Sequence, residues 1–134
     1  MIVYSVEVRN AQMNQIEAII GTSPKLHIYS GAVPLTTLSS PGTVLCTINL
    51  PADWLTAASA GSVSINGVWS GTASAAGTAS YYRIYDSTDT TCGVQGTVTL
   101  TGFGGDMTLD DVTINPGDTV FISTYTLSAG NASN

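Results

Sequence analysis

Between Val6 and Ile20 the apolar positions of this chain return every three or four residues; after Lys25 they return every two. Val6, Arg9, Met13, Ile16 and Ile20 follow i, i+3, i+4, i+7 spacing, with Ile19 beside them and Asn10, Gln12, Asn14 and Glu17 on the rest of the circumference, so residues 6–20 predict an amphipathic helix. Ser5 suits its N-cap, Glu7 lies in the first turn where the helix dipole favours an anion, and Gly21 supplies the stop. An isolated helix of about 15 residues is marginal in water. Its apolar stripe therefore has to be buried, either on the chain's own sheet or against a neighbouring subunit. Residues 1–24 are accordingly read as a helical arm and residues 25–134 as the β domain.

The alternating segments predict the strands. Along KLHIYS (25–30), Leu26 and Ile28 point one way and His27 and Tyr29 the other. Residues 43–50 carry Val44, Cys46, Ile48 and Leu50 on one face, and residues 62–70 place Ile65 and Trp69 opposite Val68. In YYRIYD (81–86), Tyr81, Arg83 and Tyr85 share one face and Tyr82 and Ile84 the other. Residues 94–101 set Val94, Val98 and Leu100 against Gln95, Thr97, Thr99 and Thr101, and residues 120–127 close the pattern. Between them stand turn signals: Asp86-Ser87-Thr88-Asp89 as a hairpin turn, and Asn115-Pro116-Gly117-Asp118 as a type II turn with Pro at i+1 and Gly at i+2. Pro51 to Leu55 reads as a single helical turn with Trp54 as an anchor. The aperiodic run 31–42 reads as an exposed loop, the small-residue tract 71–80 as either a loop or a strand packed close to a neighbour, and the polar tail 128–134 as frayed. Seven or eight short strands after one helix indicate an all-β fold, a two-sheet β-sandwich with one N-terminal α-helix. Pattern alone does not separate jelly-roll from immunoglobulin-like connectivity.

Composition changes the picture in one respect. Only 9% of the 134 residues are charged, and Thr, Ser, Gly and Ala fill the difference. Such a surface is either neutral and Thr-rich or covered in an assembly. Three cations, Arg9, Lys25 and Arg83, face nine acidic residues, and the net charge of −6 argues against nucleic-acid binding. No apolar run approaches the roughly 20 residues of a membrane span. The start MIVYSVEVRN has neither a basic n-region nor an apolar h-region, so it reads as a chain without a signal peptide, made and assembled in a cytoplasm. Two cysteines are too few for a disulfide framework, and Cys46 reads as a small buried hydrophobe.

Candidate chemistry is sparse. The single histidine, His27, has no supporting motif for a triad or a zinc site and reads as a half-exposed strand residue. Asp106, Asp110, Asp111 and Asp118 lack calcium-loop spacing and read as turn formers, while Gly102, Gly104 and Gly105 open no helix and so make no phosphate cradle. No catalytic residue, cofactor or metal ligand is assigned; a paired-carboxylate hydrolase is the weak enzymatic alternative. The residues that suit a subunit or partner interface are Met13, Ile16 and Ile20 on the helix and the Tyr81, Arg83, Tyr85 face, which reads either as a stacking contact or as a cross-strand cluster.

Three phrases carry a resemblance: AQMNQIEAIIGTSPKLHIYSGAVP (11–34), SGTASAAGTASYYRIYD (70–86) and GGDMTLDDVTINPGDTVFISTYTLSAGN (104–131). Together they resemble a family of small structural virion proteins of tailed bacteriophages. The resemblance spans most of the chain, rests on structural motifs and identifies no active site. It implies a capsid decoration (cement) protein, a jelly-roll-like sandwich that self-associates as a dimer or trimer and seats on the major capsid protein lattice. The alternative it leaves is a tail, neck or fibre component that grips a host glycan with Trp54, Trp69 or the tyrosines.

Overall fold

The change of hydrophobic period is a change of structure. The computed structural model describes residues 1–131, and among them the helical period forms α1 (Val6–Ile20). Ser5 Oγ accepts the Val8 N–H at 3.3 Å, and Gly21, at φ +92°, turns the chain out of the helix while donating to Glu17 O.

The alternating segments form β1 (Lys25–Ser30), β2 (Thr43–Asn49), β3 (Ser62–Ser64), β4 (Trp69–Thr72), β5 (Gly77–Thr78), β6 (Tyr81–Tyr85), β7 (Cys92–Leu100), β8 (Met107–Leu109), β9 (Thr113–Ile114), β10 (Thr119–Ile122) and β11 (Thr126–Ser128). Five make one sheet in the order β2-β1-β6-β7-β8, antiparallel except for the parallel β7–β8 pair. The others pair as two-stranded ribbons, β10–β4, β11–β3 and β5–β9. The main sheet curls: Ser74 N–H donates to Leu45 O at 2.8 Å, a Cys46–Ala73 bridge carries β4 alongside β2, and β10 returns beside β8. Glycine permits this approach, since a Cβ on Gly71 would stand 2.8 Å from Thr47 O. The tract 71–80 thus takes the close-packed alternative.

Inside the curl lie Leu26, Ile28, Cys46, Ile48, Ile84, Val98, Met107 and Leu109, with Trp54, Trp69 and Tyr125 filling the centre. The Tyr82 and Tyr125 hydroxyls bond each other at 2.6 Å in the buried core. Cys46 and Cys92 are both free thiols.

Several boundaries differ from expectation. Register shifts where Ile28 gives way to Tyr29, so on β2 Leu45 is fully buried and Val44 only half-buried. Residues 51–55 form no helical turn, although Trp54 is the expected anchor: it is fully buried, with Nε1 donating to Gly21 O at 3.0 Å. The 62–70 segment divides into β3 and β4 around Gly67 (φ +78°), and 120–127 divides into β10 and β11. The Asn115–Asp118 turn forms as predicted, with Gly117 at φ +91° and Asp118 N–H donating to Asn115 O. The expected frayed tail is tied down at its start, where Ser128 ends β11, Ala129 N–H donates to Gly61 O and Tyr4 N–H donates to Asn131 O, while residues 132–134 lie outside the described residues.

The helix is occupied within its own chain. Asn10, Asn14 and Glu17, one helical face, accept the N–H groups of Gly61, Ala58 and Leu55 at 2.7, 2.9 and 2.6 Å. Arg9 donates to Ala129 O, and Ile20 presses on Gly93. This corrects the expected contact residues on the helix: Ile20 is buried, and Met13 and Ile16 are half-buried against the core, because the stripe that had to leave water found the chain's own domain. Among the described residues no helix is long and apolar enough to cross a membrane.

Candidate functional site

The outer face of β6 was the other expected contact surface, and the chain covers most of it. Residues 31–42 leave β1 at Gly31 (φ +98°) and pass over this face as a strap before entering β2. Arg83 holds the strap. Its Nη2 donates to Thr36 O at 3.1 Å and Ser39 O at 2.7 Å, its Nη1 to the Tyr85 hydroxyl at 3.0 Å, and its Nε to Gln95 Oε1 at 2.9 Å. Gln95 Nε2 in turn donates to Pro34 O at 2.7 Å, Ser80 Oγ to Gly31 O at 2.6 Å, and Gly42 N–H to the Tyr81 hydroxyl at 2.6 Å. The Tyr81 ring stacks on Tyr29 with centroids 4.8 Å apart and planes 11° apart.

Tyr81 and Arg83 are therefore buried and Tyr85 half-buried, and the Tyr–Arg–Tyr face is an internal cluster. Burial opposes the Arg83 charge, but the Tyr85 hydroxyl bond and the field of Tyr85, Cys92 and Tyr29 outweigh it and raise the guanidinium pKa. Burial, with the Tyr85 hydrogen bond behind it, raises the Tyr29 phenol.

The strap turns its own side chains outward. Ser39 N–H donates to Thr36 O at 3.2 Å and Leu38 N–H to Thr36 Oγ1 at 3.3 Å, closing a tight turn. With the Thr36 and Ser39 carbonyls aimed down at Arg83, Leu35 and Leu38 project into solvent, 97% and 95% exposed. Residues 31–42 contain no charged side chain. Other apolar side chains stand out elsewhere: Met1, Ile2 and Val3 before the helix, Ile19 on its free side, Val68 just before β4, and Phe121 on β10, where it pairs with Ser70, two residues along from Val68. Scattered exposed apolar residues are ordinary. Two leucines fixed on one clamped turn are not.

His27 also departs from expectation. It is buried, with Nδ1 2.8 Å from Thr47 Oγ1 and Nε2 2.6 Å from Asp89 Oδ1. The acidic partner lies far along the chain and arrives through the β6–β7 hairpin, whose turn puts Asp89 at φ +61°. These bonds tie that hairpin to β1 and β2.

Asp111 and Asp118 serve turns as predicted, whereas Asp106 joins the start of β8 to β7 across nine residues. Asp106 accepts from Thr97 N–H, Asp111 from Thr113 N–H and Asp118 from Asn115 N–H, each at 2.9 Å. Asp110, Asp111 and Asp118 line a shallow groove of about 340 Å³ beside Phe121. Among the described residues, no group of three His, Cys, Asp or Glu side chains could hold a metal ion.

The strap is the feature that pattern reading missed. Its signal was present as two leucines in an otherwise Gly, Pro, Thr and Ser run, but their orientation depends on Arg83, more than 40 residues away. Comparison with protein families, curated proteins and solved structures finds no match to this chain.

Proposed function

We propose that this chain is a structural protein of a tailed-bacteriophage virion, a capsid decoration (cement) protein that seats on the major capsid protein lattice. The curled main sheet and the ribbons facing it are read as the two layers of a jelly-roll-like β-sandwich, with α1 laid against one end. The observation that carries the reading is the set of apolar side chains exposed on separate elements: Leu35 and Leu38 on the strap, Val68 just before β4, Phe121 on β10, and Ile19 on α1. A protein that bridges neighbours needs more than one contact face. The three phrases that resemble small virion proteins agree with it.

The mechanism is mass action. Copies that bind the assembled shell and not its open forms stabilise the shell against opening. Contacts of about 800 Å² per partner suffice for stable attachment, and repetition over a lattice adds avidity. The reading assigns the chain no catalysis, nucleic-acid contact or membrane contact, and places its assembly in the host bacterial cytoplasm.

A reconstruction of virions that contain the protein tests this directly. Density on the head, together with loss of heat or osmotic resistance in virions lacking the protein, is the expected result. Absence from the particle overturns it. Density at tail, neck or fibre moves the chain to the alternative location. The glycan-gripping form of that alternative loses support from Trp54 and Trp69, which are both fully buried.

A further inference from the structure

We infer that the seam between β8 and β10 is a docking edge for an extended basic segment of a partner protein. The segment adds to β10 as a further strand and sets its Lys or Arg side chains against Asp110, Asp111 and Asp118. Calling that partner a shell protein rests on the virion reading; the edge and its chemistry do not.

The seam is open by its hydrogen bonding. β10 returns beside β8, yet among the described residues no ladder joins them: β8 ends the main sheet, and β10 is paired with β4 alone. The β10–β4 register sets Thr119 against Thr72 and Val120 against Gly71, and the bond from Ala73 N–H to Asp118 O fixes which pairs are bonded. Bonded and non-bonded pairs alternate in an antiparallel ladder. Val120 and Ile122 therefore turn their backbone groups to β4, and Thr119 and Phe121 turn theirs to the open side. Such a row of free backbone groups is a template for one more strand. A groove of about 340 Å³ lies along it, lined from the β8 side by Leu109, Asp110 and Asp111 and from the β10 side by Asp118, Thr119 and Phe121.

Charge decides what fits there. Asp110, Asp111 and Asp118 are exposed, and among the described residues none of them lies within ion-pair distance of a cation. One oxygen of Asp111 accepts from Thr113 N–H and one of Asp118 from Asn115 N–H, which leaves the second oxygen of each for a partner. The chain's own cations are engaged elsewhere: Arg9 on Ala129 O, Lys25 on Asn49 Oδ1, and Arg83 beneath the strap. A second copy, with its net charge of −6, brings more negative charge to the groove, as a nucleic acid does. A Lys- or Arg-bearing strand brings the complement. The exposed Phe121 ring offers its face to the alkyl stems and cationic heads of such side chains.

Fluorescence anisotropy measures this, with a labelled peptide of about ten residues that alternates Lys with Thr and Val, titrated with the purified full chain. The expected Kd is on the order of 10–100 μM at about 0.05 M salt, weakened about fivefold at about 0.3 M. The same peptide with Glu in place of Lys is expected not to bind. Asp110→Asn/Asp111→Asn keeps an oxygen acceptor for Thr113 N–H and is expected to weaken binding about fivefold. Amide exchange by NMR gives the second readout. In the free chain the Thr119 and Phe121 amides exchange faster than those of Val120 and Ile122, and the basic peptide protects the first two. No binding up to about 1 mM overturns the inference. So does equal binding of the acidic peptide, an undiminished affinity in the double variant, or binding that leaves the Thr119 and Phe121 amides unprotected. Reconstruction of virions reads the protein's location separately, so either reading can fail while the other stands.

Discussion

Arg83 donates to the Ser39 carbonyl at 2.7 Å, and among the described residues its guanidinium meets no carboxylate within ion-pair distance. A buried cation held by neutral acceptors is costly unless each donor is well placed. Here the two strap carbonyls, Gln95 and Tyr85 take that part, so the charge and the strap depend on each other. Arg83→Met removes the donor common to all four contacts. The expected outcome is a loss of about 1–3 kcal/mol in denaturant unfolding and faster proteolytic cleavage after Leu35 or Leu38. Arg83→Lys keeps the charge without the planar fork and is expected to rescue cleavage resistance only in part. A strap equally resistant in Arg83→Met refutes the clamp.

The Tyr82–Tyr125 pair supplies a second test. Tyr125→Phe leaves the buried Tyr82 hydroxyl without its partner, at a cost of about 1–3 kcal/mol, whereas the double Phe variant removes both groups and costs less than the sum. A double-mutant cycle in urea reads the coupling, and additive losses would show that the bond contributes nothing.

The same pair makes the fold sensitive to alkali. Burial raises the Tyr82 phenol from 10.0 to about 12 and raises Tyr125 as well. The folded state thus prefers the protonated phenols. Their contribution is complete below pH 10, the ordinary value, and is lost as pH rises through the raised folded values. Unfolding curves across that window should show stability falling steeply, and less steeply in the double Phe variant. Equal slopes would sink the assignment.

Ile20 and Gly93 set the seat of the helix. A Cβ at Gly93 would stand 2.5 Å from Ile20 Cγ1 and 2.6 Å from Cδ1. Gly93→Ala is expected to destabilise by about 1–3 kcal/mol through overpacking. Ile20→Ala opens the space, so the double variant should be more stable than the two single losses predict. Thermal unfolding of the four proteins decides it, and strict additivity would place the strain elsewhere.

At the other end of the pH scale, Asp86 governs the β6–β7 turn. The Thr90 backbone N–H, helped by the Thr88 hydroxyl and the Thr91 N–H, holds its carboxyl below the ordinary 3.8. The stabilisation is present above that value and is lost as pH falls below it. Asp86→Asn is expected to lower the protection of the Thr90 amide against exchange at neutral pH and to remove the loss of that protection on acidification. Because this turn delivers Asp89 to His27, NMR of the His27 ring should register the same change.

How much of this was legible beforehand depended on the range of the interactions involved. The helix limits, the Ser5 cap, the Gly21 stop and the Asn115–Asp118 turn follow from bonds spanning three or four residues, so the local sequence determined them. Period-two alternation likewise fixed which side chains of β1 and β6 share a face. Tertiary structure alone decided what covers each face. Leu26 and Ile28 turn to a core, as the pattern says, but Tyr81 and Arg83 are equally buried because a loop without periodicity crosses over them, and His27 is buried beside Thr47 and the turn that carries Asp89. The polar helix residues Asn10, Asn14 and Glu17, which the pattern sets off the apolar stripe, satisfy backbone N–H groups 38 to 51 residues away. The same holds for the parallel β7–β8 pairing and for the outward Leu35 and Leu38. Each depends on partners that become neighbours only when the chain closes on itself, and no local pattern encodes that distance.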